Sequence, residues 1–358
     1  MRIDLAKLQE EIDGGWVNVQ THPSLPLRII KYSKSSVYSA RWNEITLRSR
    51  GVVIDADGVV AVNGFEKFFN NNQAEGVADY ERSKHLSYTV SVKEDGSLIQ
   101  IAKWNGNLIV TSSGSFSSPQ VQMAQEMLAG QYNNYVFKDG LTYLFELVHP
   151  GNRIVLNYGE RKSLILLAIR DTETGEELAL DPMFECVEFR QMTIEDILKE
   201  LPREDYINLE GYIVRFSNGV RIKYKYDKYV VLHKVISGIS SKWVWECLSS
   251  GLNYRDTAVD IPDELDDWIK ETAARLQNAF DESLKSAHKL YEEVVKISSV
   301  RKEQALFIQA NHKIHAKEIF GLLDGRDISK LLWDKIEPKG GGSGMKWGMG
   351  ASAEENHG

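Results

Sequence analysis

A lysine beside a glycine turn is the first feature of this chain that could act as a nucleophile. It is Lys93, which follows the alternating run SYTVSV in the stretch Lys93-Glu94-Asp95-Gly96-Ser97. Alone the pattern is short and weak, and a surface turn is the preferred reading of it. A second cluster sharpens it. Arg221, Lys223 and Lys225 fall at every second position, so on a strand they share one face. A solvated strand face would read the same way in isolation. Two carboxylates, Glu146 in FEL and Glu210 in EGY, lie within apolar runs, where burial without a partner is costly.

These residues sit in an acidic protein. The 358 residues include 43 Lys and Arg against 51 Asp and Glu, a net charge of −8. A polyanion must therefore be met by a local basic cluster rather than by bulk charge. The length allows about two domains of roughly 100–200 residues each. With 42% hydrophobic and 26% charged residues the composition is that of an ordinary globular protein. No apolar run approaches the ~18 residues of a membrane span. The start, MRIDLAKLQEEIDGG, carries acids where a signal peptide needs an apolar stretch. Cys186 and Cys247 are the two cysteines, which excludes a disulfide scaffold and a four-cysteine zinc site. A cytoplasmic protein without membrane contact is expected. The strand-like region holds no GxxxxGK[ST] and no GxGxxG stretch, so P-loop and Rossmann readings lose their main support.

The elements that must position the candidate residues are strands. From about 15 to 225 the chain alternates in short runs broken by Asp57-Gly58, Asn105-Gly106, Asp139-Gly140 and Asn218-Gly219. The two Asn-Gly pairs are hairpin candidates. Helices are expected over 1–12, 118–129 and 192–201. After about 229 the texture becomes helical, with one long amphipathic helix over 263–297 and others over 301–320 and 327–336. The expected fold class is α+β: an antiparallel-rich domain over 1–235, then an all-helical C-terminal domain over 236–338. Residues 339–358, beginning with Lys339 and GGGSG, read as a flexible tail.

The set Lys93 to Gly96, Glu146, Glu210-Gly211 and Lys223 to Lys225 resembles, in order and type, the covalent nucleotidyltransferases, the ligases and capping enzymes. The flanking stretches are closer to the phage-type RNA ligase 1 family. They are SRG at 49–51, FEKFFN at 65–70, KEDGSL at 93–98, FELVHPGNRIVL at 145–156, EGYIV at 210–214 and KYKYDKYVVLH at 223–233. The resemblance spans about residues 28–235. It implies an adenylyltransferase domain and an ATP-dependent RNA ligase that joins 5′-phosphate and 3′-hydroxyl ends. Lys93 would take AMP from ATP and pass it to an RNA 5′-phosphate, which the 3′-hydroxyl then displaces.

A free lysine has a pKa of ~10.4, so at pH 7 only ~0.04% is neutral, equivalent to ~4.6 kcal/mol. Nearby cations lower that cost. Lys223 and Lys225 are expected to do so for Lys93, and to balance charge on the departing pyrophosphate. The resemblance further implies phosphate contacts from Arg50 and Lys67, adenine packing by Phe69, a ribose contact from Glu146, and Glu210 near the reacting lysine. Gly96 would leave room for the nucleotide. Tyr32 and Tyr229 match family tyrosines. A divalent cation, Mg2+ or Mn2+, is implied, with Asp256 as candidate ligand.

One stretch departs from the family. Thr111-Ser112-Ser113-Gly114-Ser115 stands where relatives carry a lysine-bearing KSKGS pattern. Hydroxyls can still bond phosphate but bring no charge, which bears on handling of RNA ends. His312, His315 and Glu318 fall at i, i+3 and i+6 of an expected helix, where a solvated face is the preferred reading over a metal site. Trp243, Trp245 and Tyr254 could stack on bases, though helix packing suits them better. The expected partner is RNA, as single-stranded or nicked stem-loop ends, acted on by a monomer, with tRNA repair the role the family suggests. A DNA ligase or capping enzyme would normally add an OB-fold after the KxK strand. An RNA-binding module with a decayed site is the non-enzyme alternative.

Overall fold

Alternation and turn chemistry build the first part of the chain from strands. The computed structural model describes residues 1–203, 209–252 and 263–338. They fall into two units, Met1–Val230 and the described part of Val231–Met345, with the division inside the helix Asp227–Gly238. The first is a mixed α+β unit and the second is helical. Asp256, Tyr254 and the tail 339–358 lie outside the described residues.

The strands are β1 (Val17–Thr21), β2 (Leu27–Tyr32), β3 (Arg50–Asp55), β4 (Val60–Val62), β5 (Phe69–Asn70), β6 (Tyr88–Lys93), β7 (Ser97–Trp104) and β8 (Asn107–Ser112). They continue as β9 (Leu141–Val148), β10 (Ser163–Asp171), β11 (Glu177–Leu178), β12 (Glu185–Cys186), β13 (Phe189–Arg190), β14 (Gly211–Phe216) and β15 (Arg221–Lys225). Three sheets result, ordered β1-β2-β3-β4, β11-β10-β9-β7-β8 and β13-β6-β14-β15-β5, with β12 added beside β10. Pairing is antiparallel except for β10 with β12 and β15 with β5. The hairpin between β7 and β8 turns on Asn105 and Gly106, at φ 49° and 78°, the left-handed pair that matches strand twist.

The second sheet explains how a carboxylate comes to sit inside the protein. Tyr143, Phe145 and Leu147 of β9 face outward and pack, with Ile99 and Ile101, under Val121, Ala124, Met127 and Leu128 of the helix Pro119–Gly130. That helix starts on Ser118, whose hydroxyl accepts from the amide of Val121, with Pro119 in its first turn. Alternation then turns Leu144 and Glu146 to the other face. Leu144 packs there with Phe65, Leu98 and Ala168.

The expected helices at 118–129, 192–201 and 263–297 correspond to Pro119–Gly130, Ile194–Glu200 and Asp263–Ile297. Three short helices, Lys34–Tyr38, Glu44–Arg48 and Ala74–Ser83, interrupt the region read as strands. The helix expected over 301–320 is broken into Arg301–Asn311 and Ala316–Leu323. The break lets Ile308 and Ile319 bury together against Val294 of the long helix. It also separates His312 and His315 from a common helical face with Glu318. Glu318 is buried and ion-paired with Lys335, so the solvated-face reading is corrected for it. Among the described residues no three His, Cys, Asp or Glu side chains form a metal cluster. Trp245 donates to the carbonyl of Trp333 at 2.8 Å, a packing role. Among the described residues no helix is long and apolar enough to cross a membrane.

Candidate active site

Strand register assembles the site. Gly211 of β14 pairs with Lys93 of β6 on one side and with Lys225 of β15 on the other. Glu210, the residue before Gly211, therefore lies between two lysines. Its Oε2 accepts from Lys93 Nζ at 2.6 Å and its Oε1 from Lys225 Nζ at 2.7 Å. Its side chain is only 3% exposed. Gly211 has φ +149°, and a Cβ there would fall 2.0 Å from the carbonyl oxygen of Tyr224. The close approach that centres Glu210 thus requires glycine.

The same face continues along β15. Arg221, Lys223 and Lys225 all line one cavity of about 520 Å3 while Ile222 and Tyr224 are buried on the opposite face. The shared face read from the i, i+2, i+4 spacing is what the fold uses. The cavity is also lined by Lys31, Arg50, Lys93, Gly96 and Glu146. With Arg215, its cationic lining is drawn from five strands in two sheets, within a chain of negative net charge.

Gly96, just after β6, brings the Lys93 turn against Glu146 of β9 in the remaining sheet. A Cβ at this position would lie 2.3 Å from the carbonyl oxygen of Leu147 and 3.1 Å from Cγ of Glu146. With hydrogen alone there, the Gly96 amide donates to Glu146 Oε1 at 3.1 Å. Asp95, between the lysine and this glycine, is a structural anchor that the motif alone did not disclose. Its buried carboxylate accepts from the amides of Val155 and Leu156 at 2.8 and 2.7 Å and from the Tyr229 hydroxyl at 2.7 Å. Tyr229 therefore acts on the lysine loop through Asp95.

Electrostatics divide the lysines into two kinds. Burial works against the Lys93 ammonium, but Glu210, Glu146 and Asp95 outweigh it and hold its pKa above the ordinary lysine value. Burial of Glu210 is likewise outweighed, by Lys93 and Lys225, so its carboxyl stays below the usual range. The expectation that Lys223 and Lys225 hold Lys93 neutral is therefore corrected: the carboxylate between Lys93 and Lys225 favours the charged amine. Lys223 behaves oppositely. Burial, with Arg50, Lys67, Lys93 and Lys225 around it, pushes it well below the ordinary value. Among the described residues it has no ion-pair partner, and its ammonium stands 4.5 Å from the Phe68 ring centre. Burial raises Glu146 to about 7 despite the pull of Lys93. Burial works against the Arg50 guanidinium, Tyr32 and Glu146 offset this only in part, and its buried Nη1 has no partner among the described residues.

Two expected contacts are placed elsewhere. Phe69 pairs with Ile222 in the parallel register of β5 and β15, on the face away from Lys223. The aromatic rings in the cavity wall are those of Phe65, Phe68 and Phe189. Lys67 stands 4.2 Å from the Phe69 ring centre and lines a second cavity of about 540 Å3. Burial and the charge of Arg50 lower its pKa to about 8. Thr111 is buried, and its hydroxyl accepts from Gln100 at 3.3 Å, so it is not available to a phosphate; Ser112 and Ser113 line the cavity instead.

Residues 48–231 match the family model described as RNA ligase, just over half of the chain. The chain belongs to this phage-type RNA ligase family. Among curated relatives of the ligase family, a "Putative RNA ligase" of Thermovibrio ammonificans is 25% identical over 235 residues, 60% of this chain and 58% of that one. A "Putative bifunctional polynucleotide kinase/RNA ligase" of Autographa californica nuclear polyhedrosis virus is 25% identical over 248 residues, 61% of this chain and 35% of that one. The chain thus spans less than two thirds of the length of either relative. A variant RNA ligase of Naegleria gruberi solved with ATP and Mn is 18% identical, with a TM-score of 0.34, over 45% of this chain and 56% of that one.

Proposed function

We propose that this chain is an ATP-dependent RNA ligase that works through a lysyl-AMP intermediate on Lys93, within a nucleotidyltransferase domain. The observation that carries the reading is the placement of Lys93 and three further cations, Arg50, Lys223 and Lys225, around one cavity of about 520 Å3. Lys223 and Arg50 Nη1 have no anionic partner among the described residues. Unneutralised buried cations are costly unless an anion arrives to pair with them, and a nucleoside triphosphate is an anion of suitable size and charge.

In this reading the Lys93 amine attacks the α-phosphorus, the bond to the bridging oxygen breaks, and pyrophosphate leaves. The amine must first give its proton up to water, and Glu210 raises that cost while it holds the ammonium. Two lysines share this carboxylate, so the trio carries one positive charge in excess. Phosphate oxygens entering beside Lys225 and Lys223 take up that excess, and the two ammonium groups in turn stabilise negative charge growing on the leaving pyrophosphate. The adenylyl group then passes to an RNA 5′-phosphate, and a 3′-hydroxyl displaces AMP to close the strand. Glu146, bonded to the Gly96 amide, would meet the ribose hydroxyl, and with Glu94 and Glu177 it is among the cavity carboxylates open to a divalent cation. Such a cation, Mg2+ or Mn2+, would supply charge neutralisation on the phosphates.

The test is ligation. Incubated with ATP and a divalent cation, the chain should seal 5′-phosphate and 3′-hydroxyl RNA ends better than nicked duplex DNA, and Lys93→Ala should abolish sealing. Preference for nicked DNA would favour a DNA ligase. RNA binding with no sealing would favour a binding module. Nicked anticodon stem-loops set against linear RNA test the tRNA-repair role.

A further inference from the structure

The loop after β8, Ser113-Gly114-Ser115, brings hydroxyls and no charge to the cavity, yet a cation reaches it from another sheet. Lys31, near the end of β2, lines the same cavity as Ser112 and Ser113. Its side chain lies across Gly114: a Cβ built there would fall 2.4 Å from Lys31 Cδ and 3.2 Å from its Nζ. Any residue larger than glycine would push the ammonium aside. The residue is exposed overall, so this end of the cavity opens to solvent. Among the described residues Lys31 forms no ion pair or side-chain hydrogen bond, and its strongest charged neighbour is another cation, Arg50. Arg50 in turn has its unpartnered buried Nη1. Two adjacent cations without a shared anion, beside two serines, have the composition of a phosphate-binding subsite.

We propose that Lys31, seated by Gly114 and flanked by Ser112, Ser113 and Arg50, binds a terminal phosphate at the open end of the cavity. The chemistry fits the 5′-phosphate of an RNA strand or the terminal phosphate of ATP. The inference rests on the ligase reading for its substrates, but its binding test does not depend on catalysis.

The experiment uses the full chain carrying Lys93→Ala, which cannot be adenylylated. Affinity for a 5′-phosphate oligoribonucleotide and for its 5′-hydroxyl counterpart is measured by fluorescence anisotropy across a salt series. Adding Lys31→Met keeps the apolar stem and removes the charge. Affinity for the phosphorylated strand should fall about tenfold, with the salt slope smaller by about 0.7. The 5′-hydroxyl strand should respond several-fold less. In parallel, KM for ATP in self-adenylylation is compared between the Lys93-intact chain and its Lys31→Met variant. A loss confined to the phosphorylated strand assigns the subsite to the RNA end. A loss confined to KM assigns it to ATP. Equal binding of both strands with unchanged KM overturns the proposal. Gly114→Ala, which displaces the flexible end of Lys31 rather than backbone, should reproduce the effect if Lys31→Met proves unfolded by thermal melting. Failure of Lys93 to accept an adenylyl group would instead count against the ligase reading, whatever the anisotropy shows.

Discussion

Removing Lys225 should shift the pH dependence of lysine adenylylation rather than merely lower the rate. Glu210 is shared: Lys93 and Lys225 bind opposite oxygens of its carboxylate at 2.6 and 2.7 Å. The lysine side chains are 20% and 23% exposed, so solvent screens them only in part. Two ammonium groups some 5–6 Å apart repel by about 3 kcal/mol at an effective dielectric of about 20. Lys225→Ala removes that repulsion and leaves the whole carboxylate to Lys93. Both changes favour the Lys93 ammonium. A penalty of about 3 kcal/mol corresponds to roughly two pH units, or two orders of magnitude in rate at neutral pH. The assay is single-turnover formation of the protein–AMP adduct at saturating ATP, from pH 6 to about 10. In the variant the rate should be about two orders of magnitude lower at neutral pH and should still be rising with pH at the alkaline end. A variant rate that matches the parent's at neutral pH, or that does not rise with pH, would refute this account of Lys225 as a regulator of the amine's proton.

Other consequences follow from the same geometry. Asp95→Asn leaves one oxygen to replace two acceptors that serve two backbone amides and a tyrosine hydroxyl. It should cost about 1–3 kcal/mol of stability, read as a lower midpoint in urea, and should slow adenylylation by loosening the Lys93 turn. Glu146 has a folded pKa of about 7 against an ordinary 4.5, so the folded state binds its proton more tightly. The stability this contributes is present below the unfolded pKa and is lost as pH rises from about 4.5 through 7. Glu146→Gln should flatten that part of the stability profile, measured by denaturant unfolding at a series of pH values. An unchanged slope would show that burial does not raise this group.

Much of the site was legible because strands have a period of two. Arg221, Lys223 and Lys225 could be assigned one face before any coordinates, and Glu146 and Glu210 stood out as carboxylates inside apolar runs. What the spacing could not show was which neighbour reached which. The pairing of Gly211 with both Lys93 and Lys225 depends on sheet register, so the bridging role of Glu210 and the resulting charge on Lys93 emerge only in three dimensions. Phe68 and Phe69 are adjacent and identical in type, and only the parallel register of Phe69 with Ile222 separates them. The helix Ala74–Ser83 was obscured by Gly76, a poor helix former. The fold needs it there, because a Cβ would lie 2.1 Å from the carbonyl oxygen of Asn70. The break at His312 has no glycine or proline to mark it; burial of Ile308 and Ile319 against the long helix sets it instead. Lys31 lies far in sequence from Gly114, and no local pattern could have joined them.

The central claim is that Lys93 is the atom-bearing group that receives AMP. The most direct measurement is mass spectrometry of proteolytic fragments after incubation with α-labelled ATP and Mg2+ or Mn2+. The account predicts one added adenylyl group on the fragment containing Lys93, released by pyrophosphate and absent from Lys93→Ala. A folded protein that acquires no adduct, or acquires it on another lysine, would contradict it.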